Sequence, residues 1–203
     1  MEREYKWKAS AEIQRRMRED TQIADLCTAC RELHMQAVYY ETADGMLRRE
    51  QAALRLRREN DSTVCCMKMG KRTVGTCTVR EEYETAAADI RDGLRRLPAA
   101  GAPAALCEAL LHAELRELAH NDFHRTALTL QFESDGAACT AELALDGGQL
   151  GNADAEIAFT EAELEYKDGS TDAFCALAAL IAERYALEPQ PLSKLARAIS
   201  AGR

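Results

Sequence analysis

The stretch Glu2-Arg3-Glu4-Tyr5-Lys6-Trp7-Lys8 sets Glu2, Glu4, Lys6 and Lys8 at every second position, with Arg3, Tyr5 and Trp7 between them. Successive side chains of a β-strand point to opposite faces, so this spacing lines up two carboxylates and two ammonium groups on one side. The same habit recurs along the chain, with one face apolar and the other heavily charged, over residues 36–42, 53–58, 63–69, 76–84, 124–133, 137–145 and 155–167. Together with residues 2–8 that makes eight candidate strands, the number at which an antiparallel sheet commonly closes into a barrel.

Helical patterns separate these runs. Ser10 opens a helix with an Ile13/Met17 stripe, residues 25–35 read as another, and residues 86–97 form one that ends before Pro98. Pro103 stands at the first turn of a helix whose Leu106, Leu110, Leu111, Leu115 and Leu118 share a face. Residues 171–185 give a long amphipathic helix, and Pro189 and Pro191 separate it from a short C-terminal one. Asp146-Gly147-Gly148 and Lys167-Asp168-Gly169 read as turns. One-sided strands and one-sided helices pack when the helices coat the apolar face of the sheet. The expected architecture is therefore α+β, a single domain over residues 1–203 built as an eight-stranded antiparallel barrel with helices outside. Its lumen collects Glu2, Glu4, Lys6, Lys8, Arg55, Arg57, Lys68, Arg80, Glu82, Glu84, Arg125, Glu142, Glu161, Glu163 and Glu165, although Glu161, the outermost, also suits an acidic surface ribbon.

Thirty-four acidic against 26 basic residues give a net charge of −8, which argues against a nucleic-acid surface. No apolar run approaches the ~18 residues that span a bilayer, and no signal-peptide pattern is evident, so a cytoplasmic protein without a membrane partner is expected. Of the eight cysteines only Cys27 and Cys30 have metal-ligand spacing, and no second such pair completes a zinc site. They read as packing residues on a helix. Cys65 and Cys66 adjoin on a strand, face opposite ways and make a poor disulfide. His34, His112, His120 and His124 are given no chemical role.

Buried charges of both signs are tolerated when they neutralise one another or hold a charged ligand. A polyphosphate with a divalent cation needs both: arginine forks and lysine points for the phosphate oxygens, and clustered carboxylates for a hard cation such as Mg²⁺ or Mn²⁺. On this reading Arg55, Arg57, Lys68 and Arg80 cradle phosphates, and the acidic rows at the two ends of the sequence hold metal.

Glu2-x-Glu4-x-Lys6 resembles the ExExK signature of the CYTH superfamily, the triphosphate tunnel metalloenzymes. The remaining motifs follow in family order. Tyr39-Tyr40-Glu41-Thr42 resembles its YYDT strand, Leu54-Arg55-Leu56-Arg57-Arg58-Glu59 its ALRVRRE, Met67-Lys68-Met69-Gly70 its LKG, and Arg80-Glu81-Glu82-Tyr83-Glu84 its R-x-E-x-E strand. Glu142 to Gly148 is similar to ELxLDxG, Glu161 to Gly169 to EIELELKxG, and Ser193-Lys194 to a late SK.

The resemblance implies an eight-stranded tunnel that binds a triphosphate and a divalent metal. It implies Glu2, Glu4, Glu163 and Glu165 as ligands for Mg²⁺ or Mn²⁺, with Glu82 or Glu84 as a further ligand or the group that orients water. Lys6, Lys8, Arg55, Arg57, Lys68, Arg80, Arg125 and Lys194 would bind phosphate, and Lys6, Glu82 and Glu84 would be the catalytic groups. The implied activity is metal-assisted hydrolysis of a small-molecule triphosphate without a covalent nucleophile, with adenylate cyclase, nucleoside or thiamine triphosphatase, or a non-catalytic polyphosphate-binding module as alternatives. Two features favour inorganic tripolyphosphate over thiamine triphosphate: Cys65, Cys66 and Met67 replace the usual aromatic on the fourth strand, and the only tryptophan, Trp7, has outward parity. Asp146 reads as a turn former rather than a ligand.

Overall fold

The computed structural model describes residues 1–202. Eight strands, β1 Glu2–Lys8, β2 Cys27–Thr42, β3 Ala52–Glu59, β4 Ser62–Val74, β5 Cys77–Ala86, β6 Leu115–Ser134, β7 Ala137–Gly151 and β8 Glu156–Gly169, form one antiparallel sheet. Their order is β5-β4-β3-β2-β6-β7-β8-β1, and a β1–β5 pairing with Glu2 opposite Arg80 closes it into a barrel. A two-residue strand, β9 Glu188–Pro189, pairs with Trp7 and Lys8 at the end of β1. Among the described residues no helix is long and apolar enough to cross a membrane.

Strand parity decides what lies on each side of the wall. Trp7, Leu143 and Leu164 face out and meet α1 Ala11–Glu19, α2 Thr21–Leu26 and α6 Thr171–Arg184 through Met17, Ile23, Phe174 and Leu177. Leu54, Cys65 and Met67 face out on the other flank and are covered by α3 Met46–Arg49, α4 Ile90–Arg96, a 3₁₀ turn at Leu97–Ala100 and α5 Ala104–His112. A third apolar cluster lies inside. Met35, Ala37 and Tyr39 of β2, Phe123 of β6, Leu150 of β7 and Phe159 of β8 pack with Ala198 and Leu195 of α7 Lys194–Ile199. Six helices thus coat the barrel as expected, while α7 packs against inward-facing side chains and makes part of the interior apolar.

Three local readings are corrected. Residues 25–35 are not helical: α2 stops at Leu26 and Cys27 begins β2, which pairs with β6 from Cys27 opposite Leu130 to Thr42 opposite Leu115. A long ladder satisfies every backbone group it recruits, which outweighs a local helical pattern. Cys27 and Cys30 therefore sit on a strand, and Cys30 is exposed. Leu115 and Leu118 belong to β6, because α5 ends at His112 and Ala113 is extended. Asp146-Gly147-Gly148 is not a turn but the middle of β7; the β6–β7 turn is made by Asp135 and Gly136, both at positive φ. Gly148 is required there by close approach, since a Cβ would lie 2.4 Å from the Asp122 carbonyl oxygen.

Packing of α4 on β4 depends on another glycine. A Cβ at Gly93 would stand 2.2 Å from Cys65 Cβ, buried in the wall on both sides. Gly93→Ala should lower the unfolding free energy by about 1–3 kcal/mol in a denaturant titration, as overpacking of a filled core does, with an unchanged m-value.

Candidate active site

The inward rows converge on one cavity of about 250 Å³. At one pole, β3, β4 and β5 present Arg55, Arg57, Lys68 and Arg80 toward Glu2 and Glu4 of β1 and Glu82 and Glu84 of β5. Lys68 Nζ lies 2.7 Å from Glu2 and 2.9 Å from Glu82. Arg80 donates to Glu2 at 2.5 Å and to Glu4 at 2.9 Å. Arg57 reaches Glu84 at 3.0 Å and also touches Glu59. Arg55 stands apart, its nearest carboxylates being Glu82 at 3.6 Å and Glu84 at 3.9 Å. The Nε atoms of both Arg55 and Arg57 are buried without a hydrogen-bond partner. A buried donor left unpaired is costly, and both of these side chains line the cavity.

At the other pole, Arg125 of β6 clamps Asp146 of β7 with two 2.7 Å bonds and donates to Glu163 of β8 at 2.8 Å. Lys194 and Arg197 of α7 meet Glu161 there, and Lys194 also meets Asp146 and Glu163. Lys6 lies between the poles, 3.6 Å from Glu4 and 3.5 Å from Glu163, too far for short hydrogen bonds.

Burial opposes ionisation of Glu2, but Lys68 and Arg80 more than offset it and hold the carboxyl below its ordinary value. The same balance, with Lys68 and Arg55, pulls Glu82 far down, and with Lys194, Lys6 and Arg125 it does so for Glu163. Glu165 and Glu161 go the other way: burial dominates and raises both, despite Lys167 beside the first and Lys194 beside the second. Cys66, whose thiol donates to Glu82 at 3.1 Å, is pushed up to about 11 by burial and stays protonated at neutral pH.

Most expected site residues are brought together, but not in one group. Carboxylate oxygens of Glu2, Glu82 and Glu165 lie within 4.8 Å of one another, whereas Glu163 groups with Asp146 and Glu161. Glu4, opposite Glu165 in the β1–β8 register, is turned to Arg80 and Lys6. Three carboxylate oxygens this close together are the hard donor set that fits a divalent cation. Lys8 does not reach the cavity: its side chain is 59% exposed and pairs with Glu188, its Cα partner on β9. Glu161, allowed above as a surface ribbon, is 0% exposed, and so is Asp146, taken above for a turn former.

Arg31, Tyr39, Glu59 and Lys167 also line the cavity. Glu59 continues the Arg55/Arg57 alternation and was within reach of parity. Arg31, 2.8 Å from Glu142, was hidden by the helical reading of residues 25–35.

These shifts set the acid response of the fold. Glu2, Glu82 and Glu163 titrate below the ordinary 4.5, so the stability they add is present above that value and is lost as pH falls through their depressed values. Glu161 and Glu165 titrate above it, so the folded protein binds their protons first and gains stability as pH drops toward 4.5. The melting temperature should hold or rise from pH 7 to about 5 and fall below about 4.5. The rise should vanish in a Glu161→Gln, Glu165→Gln variant; a steady fall from pH 7 in the parent protein would contradict this balance.

The fold is shared with solved structures of low sequence identity. HpAC1 from Hippeastrum, described as having a dominant triphosphatase activity, superposes with a TM-score of 0.63 at 17% identity over 98% of this chain and 96% of its own. The PH1819 protein from Pyrococcus horikoshii OT3 gives 0.63 at 18% identity, covering 98% of this chain and 99% of that one. PH1012 from the same organism gives 0.55 at 13%, covering 96% and 98%. The family model of the CYTH domain matches residues 1–199, and with the closed barrel and its charged lumen this places the chain in the CYTH domain family.

Proposed function

We propose that this protein is a divalent-cation-dependent phosphohydrolase that cleaves inorganic tripolyphosphate to pyrophosphate and phosphate. The observation that carries the reading is the pair of unpartnered guanidinium Nε atoms of Arg55 and Arg57, on a wall shared with Lys68 and Arg80 and facing the Glu2/Glu82/Glu165 carboxylates. A cavity of about 250 Å³ lies below the ~300–1,000 Å³ typical of drug-sized ligands, which favours a compact anion over a nucleotide. A pure anion binder gains nothing from carboxylates beside its ligand. HpAC1, which has the same fold, is described as a triphosphatase.

In this reading Arg55, Arg57, Lys68 and Arg80 bind the terminal and middle phosphoryl oxygens, and their donors stabilise the charge that builds on the leaving pyrophosphate. Glu2, Glu82 and Glu165 would hold Mg²⁺ or Mn²⁺, which supplies neutralisation of phosphate charge when bound. Glu84, which lines the cavity and is left out of that trio, orients the attacking water and accepts its proton. Lys6, whose N–H groups are not taken up at short range, meets the departing oxygen. The water oxygen bonds to the terminal phosphorus as the bridging P–O bond breaks, so no covalent enzyme intermediate is formed.

A phosphate-release panel on tripolyphosphate, ATP and thiamine triphosphate, with cyclic AMP assayed in parallel, should give a kcat/KM for tripolyphosphate at least tenfold above the others. Equal rates on all three, or cyclic AMP as main product, would remove the substrate assignment. EDTA should abolish turnover and Mg²⁺ or Mn²⁺ restore it. Arg55→Met should raise KM by about tenfold or more, the effect of removing one charged partner from a desolvated contact. Glu82→Gln should lower kcat by about a hundredfold or more.

A further inference from the structure

We propose that the outer face of the barrel wall carries a metal site of its own: His34 of β2 and His124 of β6 bind a transition-metal ion such as Zn²⁺ or Ni²⁺, with Asp122 holding His34 in the ligating tautomer. The site lies outside the cavity and does not depend on the hydrolase reading.

Strand parity builds it. Leu33, Met35, Phe123 and Arg125 line the cavity, so His34, Asp122 and His124, which alternate with them, point out. His34 and His124 are Cα partners across the β2–β6 ladder, and their rings stack with centres 4.9 Å apart and planes 18° from parallel. Directly opposed residues of an antiparallel pair hold their Cβ atoms within about 5.5 Å, a span that two imidazoles can close on one ion. This part of the wall is open to solvent: the His34 side chain is 37% exposed and His124 is exposed. On its other side His124 faces Gly147 of β7, which has no side chain to crowd the ring.

The nitrogens are set for ligation. Asp122 Oδ1 lies 2.7 Å from His34 Nε2. A carboxylate accepts and does not donate, so Nε2 carries the hydrogen and Nδ1 keeps the lone pair. Asp122 is itself fixed by Gln36 Nε2 at 2.6 Å, and the His34 backbone N–H donates to Asn60 Oδ1 at 2.9 Å. A carboxylate on the far nitrogen orients a metal-binding imidazole and makes it more basic. Glu32, two residues before His34 on the same outward row and joined to Thr126 at 3.1 Å, adds a second negative charge nearby.

The other two histidines lack this arrangement. His120 lies on Glu156, and its Cα partners are Val38 and Gly151; His112 lies on Glu108 of its own helix. Imidazole nitrogens suit Zn²⁺, Ni²⁺ and Cu²⁺, whereas the Glu2, Glu82 and Glu165 oxygens suit a hard cation, so the two places select different ions. An ion held by His34 and His124 ties β2 to β6 where Leu33 faces Arg125 and Met35 faces Phe123.

The test is a Zn²⁺ titration of the Glu82→Gln protein, followed by the NMR signals of the histidine ring C–H groups. That background weakens the interior carboxylate set, and the ring signals separate imidazole binding from any uptake by exposed thiols. The His34 and His124 signals, identified by their loss in His34→Ala and His124→Ala, should move together and saturate with a single Kd, while the His112 signal stays in place. Asp122→Asn should raise that Kd tenfold or more. Zn²⁺ should raise the melting temperature of the Glu82→Gln protein and leave that of Glu82→Gln, His124→Ala unchanged. Ring signals of His34 and His124 that do not respond to Zn²⁺, or that respond with different Kd values, would overturn the proposal. So would a Kd that Asp122→Asn leaves unchanged, or a Zn²⁺ stabilisation that survives His124→Ala.

Discussion

The Glu2–Arg80 pair closes the barrel and builds one pole of its site at once. These residues are Cα partners across the β1–β5 seam, and the guanidinium donates to the carboxylate at 2.5 Å. Without that seam the sheet would be open, and the charged rows of β1 and β5 would face water, where such pairs are worth little. With it, Glu2, Glu4, Lys68, Arg80 and Glu82 become nearly buried neighbours in a low-dielectric space where each interaction is strong. Fold closure and site assembly are therefore one event, and strand alternation makes it so.

A lumen filled with charge along its whole length would be costly to desolvate. The interior cluster of Met35, Ala37, Tyr39, Phe123, Leu150 and Phe159, joined by α7, fills part of the barrel with ordinary apolar packing. It confines the charged groups to one cavity and gives the buried Asp146 and Glu161 a dry border. The rigidity that holds the ion pairs comes from this packing and from the two outer clusters, more than from the pairs themselves.

Much of this was legible because a period of two is local information. Eight alternating runs located the eight strands, and parity assigned Glu2, Glu4, Lys6, Arg55, Arg57, Lys68, Arg80, Glu82, Glu84, Arg125, Glu163 and Glu165 to the inside, where all of them line the cavity. The errors came where the deciding partner is remote in sequence. Cys27 to Met35 is extended because β6 offers a ladder about a hundred residues away, as in Cys30 opposite Leu128. Gly147 and Gly148 look like a turn, yet Gly148 is there to let β7 pass within contact of Phe123. Misreading that segment hid Asp146, and misreading residues 25–35 hid Arg31. Lys8 has the correct parity but turns to Glu188 of β9, a partner remote in sequence that alternation does not encode.

Cations and carboxylates are almost evenly matched around this cavity, so residue type alone does not separate ligands from scaffolding. What separates them is how many donors each cation already has engaged. Arg125 has its fork on Asp146, Arg80 bridges Glu2 and Glu4, and Lys194 donates to Glu163 with Asp146 and Glu161 close by. Arg55 has no hydrogen bond short enough to count, and Arg57 leaves its Nε unpaired. Engaged cations fix the shape of the lumen, because moving them strands a buried charge; unengaged ones gain by meeting an anion, because their desolvation has already occurred on folding. On the proposed reading an anion would meet the β3 arginines first, in the same cavity as Glu165, the carboxyl of the Glu2/Glu82/Glu165 trio that burial raises. Under-bonded guanidinium groups and an under-neutralised carboxyl in one cavity are an arrangement that an oxyanion and a divalent cation satisfy together.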